Sequence, residues 1–178
     1  MSLITTTQPH QAEGKTADVY QEIEGMFGFI PNAIRLDSVN PGHMARHWEG
    51  IRESIAHETL SAKLFTLIRL LVSEATHCDY CIGLNAAILM QNHGMTQEDI
   101  ARVKQTPETA PLDEKEKALL HFVMKGVGDS NSITAQDVEA LKLLGCSERE
   151  IFDALAHGAW QVAGDIMLNA FKVEHDFH

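Results

Sequence analysis

The segment from Ala62 to Thr76 limits what this chain can fold into more than any other. Leu64, Phe65, Leu67, Ile68, Leu70, Leu71 and Val72 cover nearly the whole circumference of a helix, behind Ser61 as a hydroxyl N-cap. A helix that is apolar all round has no solvent face, so other elements must pack on every side of it. At 178 residues the chain is long enough to supply them within one domain.

The rest of the chain reads as helices that provide this packing. Residues 1–15 hold Pro9 and Gly14, lack periodicity and form a flexible N-terminal tail. Thr16 caps a helix to about Met26, with Val19, Ile23 and Phe27 at three- and four-residue spacing, and Gly28 ends it. After the apolar turn Phe27–Asn32 come a short helix, Ala33 to about Val39, and a longer one from Asn40-Pro41-Gly42 to near His57, striped by Met44, Trp48, Ile51 and Ile55. Residues 79–92 form the next helix, with Ile82, Ala86 and Leu89 on one side and Gly94 beyond its end. Asp113 caps a helix to about Lys125, where Gly126 and Gly128 open a loop, and Thr134 caps a short helix holding Val138, Leu141 and Leu144. The last helix runs from Glu148 to about Val173. Gly94-Met95-Thr96…Asp99-Ile100 and Gly145-Cys146-Ser147…Glu150-Ile151 share one signature, a terminating Gly, a hydroxyl cap and an acid three positions on, which hints at an internal helical duplication. No segment alternates as a strand does. The expected fold is all-α, a single domain over 16–178 with seven to eight helices arranged as helical hairpins.

The buried helix delivers the chain to Cys78-Asp79-Tyr80-Cys81. A cysteine near a helix N-terminus has its thiolate favoured by unpaired N–H groups and the helix dipole, and two intervening residues bring both sulfurs within disulfide reach. One thiol can then attack a substrate while the other resolves the product. Half of a zinc site and a pair of small buried hydrophobes are the alternatives.

Composition narrows the partners. The formal charge of −11 disfavours nucleic acid and anionic membranes, since phosphate affinity needs clustered Lys and Arg. The best apolar window, Leu64–Val72, is too short for a membrane span and carries Arg69. Three cysteines do not make a secreted disulfide scaffold, and Met1–Gln11 lacks the basic and apolar regions of a signal peptide, so a reducing, cytoplasmic setting is expected. No glycine motif supports a nucleotide cofactor. His43 and His47, four apart, have no third ligand nearby in sequence and are expected to face solvent. His175-Asp176-Phe177-His178 is expected to fray, and Cys146 to be packed and inert.

With these elements in order, the sequence resembles the carboxymuconolactone decarboxylase / alkyl-hydroperoxidase D superfamily, in its peroxidase-related branch. The likeness is carried by the Phe-Gly-x-x-Pro-Asn turn at 27–32, Leu60-Ser61 and the apolar helix into Cys78-Asp79-Tyr80-Cys81, Gly94-Met95-Thr96, the 112–120 run, and Asp137–Leu141 through Gly145 to Glu150-Ile151. The resemblance implies an all-helical fold forming homo-oligomers, trimers or hexamers. It also implies reduction of a small hydroperoxide at the dithiol, with Cys81 peroxidatic, Cys78 resolving and a thiol reductant restoring the pair. The family's relay has a His four residues after the second cysteine and a Glu twelve before the first. Here those positions are Asn85 and Thr66. An amide does not titrate near neutral pH, so this route to the thiolate is missing. Glu74, His77 and His157 are the candidates to replace it, although a carboxylate alone beside a thiol raises its pKa. Two other readings stand beside a thiol peroxidase: an oligomeric stress-related or binding protein that has lost the chemistry, and a metal-dependent or lyase-type enzyme like the family's decarboxylases.

Overall fold

Caps and packing set where the helices begin and end. The computed structural model describes residues 2–176. Among them lie nine α-helices and no strand: α1 (Gly14–Phe27), α2 (Asn32–Asp37), α3 (Pro41–Ile55), α4 (Ala62–Thr76), α5 (Asp79–His93), α6 (Gln97–Gln105), α7 (Glu114–Gly128), α8 (Ala135–Leu143) and α9 (Glu148–Ala170). The all-α expectation is met. The chain divides into two compact units, Met1–Ser54 with Met167–His178, and Ile55–Ile166.

The core of the first unit is Val19, Tyr20, Ile23, Ile34, Met44 and Trp48. The indole N–H of Trp48 donates to Glu22 Oε2 at 2.7 Å, and its ring meets Phe27 edge-on at 6.1 Å. The helix expected to be capped by Thr16 starts earlier, at Gly14, and leaves Thr16 buried within it. The segment before it is hydrogen-bonded: Leu3 N–H donates to Phe171 O at 2.9 Å, Thr7 N–H to Ser38 Oγ at 2.8 Å, and the Tyr20 hydroxyl to Thr7 O at 2.9 Å. At the other end, Asp176 accepts from the Asn32 N–H at 2.7 Å. Phe177 and His178, part of the stretch expected to fray, lie outside the described residues.

The second unit is built around α4, as its all-round apolarity requires. Leu64, Leu67, Ile68, Leu70 and Val72 are fully buried. Ser61 caps α4 through Leu64 N–H. Glu116 of α7 in turn takes the Ser61 N–H at 2.6 Å and its hydroxyl at 2.9 Å. A carboxylate at a helix start stabilises it through both hydrogen bonds and the dipole.

One expected loop is absent. Helix α7 does not stop at Lys125 but continues through Gly126 to Gly128. Gly126 is there for close approach, since a Cβ on it would lie 2.8 Å from Leu155 Cδ1 on α9. Gly158 of α9 does the same in reverse, where a Cβ would overlap Val123 of α7. Capping boxes open α6 at Thr96/Asp99, α8 at Thr134/Asp137 and α9 at Ser147/Glu150. No helix among the described residues is long and apolar enough to cross a membrane.

Candidate functional site

Helix α4 ends in a left-handed residue that is not glycine. His77 has φ 56°, and the Cys78 N–H turns back to Ser73 O at 3.0 Å while His77 N–H reaches Glu74 O. This closure carries the chain directly from the core into Cys78, the N-cap residue of α5, with Cys81 in the first turn. Both thiols are free and buried, Cys78 fully and Cys81 at 5% exposure.

The third group at the thiols is Asp165 of α9. One sulfur from each cysteine and one carboxylate oxygen all lie within 4.8 Å of one another, and all three residues are buried. Asp165 accepts hydrogen bonds from Thr76 Oγ1 at 2.6 Å, Gln161 Nε2 at 2.7 Å and Ser73 Oγ at 3.1 Å. These satisfy a fully buried carboxylate without a cation and fix its orientation.

The two thiols differ. Cys78 is held below the usual thiol value, first because the Cys81 thiol donates a hydrogen bond to it, against burial, with the Cys81 backbone N–H assisting and Asp165 opposing. Cys81 is raised, first by that same bond, which needs its proton, then by burial and by the Asp165 carboxylate. Cys78 is therefore the sulfur that ionises first.

The two relay positions also meet in space, through a residue that spacing did not single out for chemistry. Arg69 Nε donates to Asn85 Oδ1 at 2.8 Å, its NH2 to Thr66 Oγ1 at 3.0 Å, and its NH1 to His157 Nε2 at 3.1 Å. Because a guanidinium only donates, His157 Nε2 is the acceptor and its ring proton sits on Nδ1. The Asn85 amide donates onward to Cys81 O at 2.8 Å.

The other candidates take different places. Glu74 pairs with Lys104 of α6. His77 is exposed at the turn. His157 does come in from α9, onto Arg69 and edge-on to Phe65 at 4.9 Å. Cys146 is buried, and its thiol is raised chiefly by that burial. His43 and His47 are not simply solvent-facing. Both turn to Asp37, His47 Nδ1 at 2.6 Å and His43 Nε2 at 3.6 Å. A surface cleft of about 430 Å³, lined by Gly126, Val127, Ile133, Leu155 and Val162, contains none of the thiol-site residues.

Residues 42–123, which hold both thiols, match the Carboxymuconolactone decarboxylase family. That match covers a little under half of the chain, and the fold as a whole is that of the alkylhydroperoxidase AhpD core. Crystal structures share its fold along nearly the whole length. An uncharacterised peroxidase-related protein from Ralstonia eutropha JMP134, described as an alkylhydroperoxidase AhpD core, superposes with TM-score 0.84 at 20% identity, over 99% of this chain and 93% of that one. An uncharacterised peroxidase-related protein from Silicibacter sp. TM1040 gives 0.83 at 19% identity, over 99% and 92%. The debrominase Bmp8 in its apo form gives 0.76 at 20% identity, over 98% and 92%. No curated protein matches the chain. Within this shared fold, the chain sets Arg69 between Thr66 and Asn85, and Asp165 against the thiols.

Two signals in the sequence point to these residues. Arg69 is the one charge inside the apolar run of α4, and His157, Gln161 and Asp165 recur every four residues along α9, marking one polar stripe on a largely apolar helix.

Proposed function

We propose that the chain is a dithiol oxidoreductase that reduces a small hydroperoxide, with Cys81 attacking and Cys78 resolving. The observation that carries this reading is the buried triad of Cys78, Cys81 and Asp165 within 4.8 Å, placed at a helix start. Since Cys78 ionises first, attack by Cys81 begins with its proton passing along the existing bond to the Cys78 sulfur. The Cys81 thiolate then takes one peroxide oxygen. The O–O bond breaks, an S–O bond forms, and the alkoxide leaves as the alcohol with the proton from Cys78. The Cys78 thiolate next attacks the Cys81 sulfenic acid, closing the S–S bond and expelling hydroxide. A proton from solvent, replacing the one that Cys78 lost on ionising, turns the hydroxide into water, and Asp165 is the group beside the sulfurs that relays it. Two thiols are oxidised for one peroxide reduced to alcohol and water, and an external thiol reductant restores the pair.

Peroxide consumption with dithiothreitol as reductant tests this. Cys81→Ser and Cys78→Ser should each abolish turnover, and Asp165→Asn should lower it roughly a hundredfold or more, the scale of a lost proton-transfer group. Wild-type protein that consumes peroxide no faster than dithiothreitol alone would sink the reading.

The assembly that fits it is a homo-oligomer, trimer or hexamer. Phe152, Trp160 and Ile166 are 72%, 61% and 61% exposed on α9. They fall within about a third of the helix circumference, an apolar patch of the kind that marks interfaces. The dependence on a thiol reductant suits a reducing, cytoplasmic compartment.

A further inference from the structure

Within the unit Ile55–Ile166 every Lys and Arg except two pairs with a carboxylate. The two exceptions, Lys63 and Arg69, lie on the same helix, α4. Arg69 is partly buried, and its three acceptors, Thr66, Asn85 and His157, are all neutral. A desolvated cation is costly unless something anionic completes it, and no carboxylate is paired with Arg69. Those bonds use three of the five guanidinium N–H donors and leave two, held in a fixed plane. Burial lowers Arg69 to about 10, opposed by the Cys81 sulfur as its one charged neighbour among the described residues, and Arg69 stays charged at neutral pH. His93 of α5 is depressed by burial and then by Lys63 and Arg69 together, so all three groups share one region of positive potential in a chain of net charge −11. The site adjoins the thiols, because Asn85 bonds Arg69 with one end of its amide and the Cys81 carbonyl with the other.

Resting on the dithiol reading above, we propose that Arg69, positioned by Thr66, Asn85 and His157 and supported by Lys63, is an anion-recognition subsite beside Cys81 that selects substrates carrying a carboxylate. The planar guanidinium matches a carboxylate in geometry, and a charge-assisted bond there holds the reacting end of the molecule near the Cys81 sulfur.

Two measurements test it. The first compares rates with cumene hydroperoxide and with its ring-carboxylated analogue. Wild-type kcat/KM should favour the carboxylated peroxide about tenfold or more, and Arg69→Gln should bring that ratio toward unity, with Lys63→Gln lowering it less. The second needs no turnover: binding of 4-isopropylbenzoate to the Cys81→Ser protein, followed by NMR, with the corresponding benzamide as neutral control. Benzoate should bind about tenfold tighter than the amide, weaken as salt rises, and lose that advantage in Arg69→Gln and partly in the surface variant Lys63→Gln. Equal binding of acid and amide would overturn the subsite, as would an Arg69→Gln effect equal on both peroxides. Selective benzoate binding by a protein whose thiols no peroxide oxidises would keep the subsite and reject the dithiol reading.

Discussion

At the scale of single residues, the site is decided by which group faces each thiol. Cys78 sits at the N-cap with the Cys81 thiol donating to it, while Cys81 faces burial and the Asp165 carboxylate. Cys81→Ala removes the donor from Cys78 and leaves the two influences that raise it. The Cys78 thiolate, read by ultraviolet absorbance, should then appear at higher pH than the first thiolate of the wild type. Asp165→Asn removes a negative charge beside both sulfurs, so thiolate should form at lower pH even though turnover falls. No change in the titration of either variant would mean that the triad is not coupled in solution. The thiols themselves were legible from two intervening residues and an apolar helix. Their carboxylate was not, because Asp165 stands more than eighty positions away and reaches them only through the packing of α9. Glu74, nearer in sequence, turns to Lys104 because the α4 C-terminal closure places it toward α6.

At the scale of elements, the starts capped by Ser61, Thr96, Asp113 and Thr134 were legible because capping is local chemistry, whereas Thr16 lies inside α1 and caps nothing, and α4 matches its expected bounds. The end of α7 was not, since a glycine that breaks a helix and one that admits a neighbour look alike in sequence. Gly158→Ala should cost about 1–3 kcal/mol in chemical denaturation, as overpacking against Val123 forces α7 and α9 apart. Stability unchanged within 0.5 kcal/mol, about the scatter of surface substitutions, would show that the helices are not in close contact there. The α9 start makes a pH prediction. Glu150 is buried, and although burial pushes it up, Lys115 at 2.6 Å and the hydroxyl and N–H groups around it bring it down to about 2. A depressed carboxylate contributes stability above its unfolded value, which is lost as pH falls from about 4.5 toward 2. Glu150→Gln should lower stability at pH 7 by roughly 1–2 kcal/mol and flatten the acid side of the stability curve over that window. A variant with the wild-type slope there would contradict the assignment.

At the scale of the whole molecule, the all-α class followed from one helix that needed cover on every side and from the absence of any alternating strand. The exposure of Phe152, Trp160 and Ile166 was not legible in the sequence, because an exposed apolar residue on a helix carries the same period as a buried one. Trp160→Glu should shift the protein toward monomer in sedimentation equilibrium while leaving its helical circular dichroism intact, and a wild type already monomeric would reject the proposed assembly. The central claim concerns the dithiol, and counting free thiols per denatured chain after one equivalent of an organic hydroperoxide tests it most directly. The chain starts with three, Cys78, Cys81 and Cys146. The account predicts that Cys78 and Cys81 are lost together, leaving Cys146, and that Cys81→Ser prevents the loss of a pair. All three thiols surviving the peroxide would contradict it.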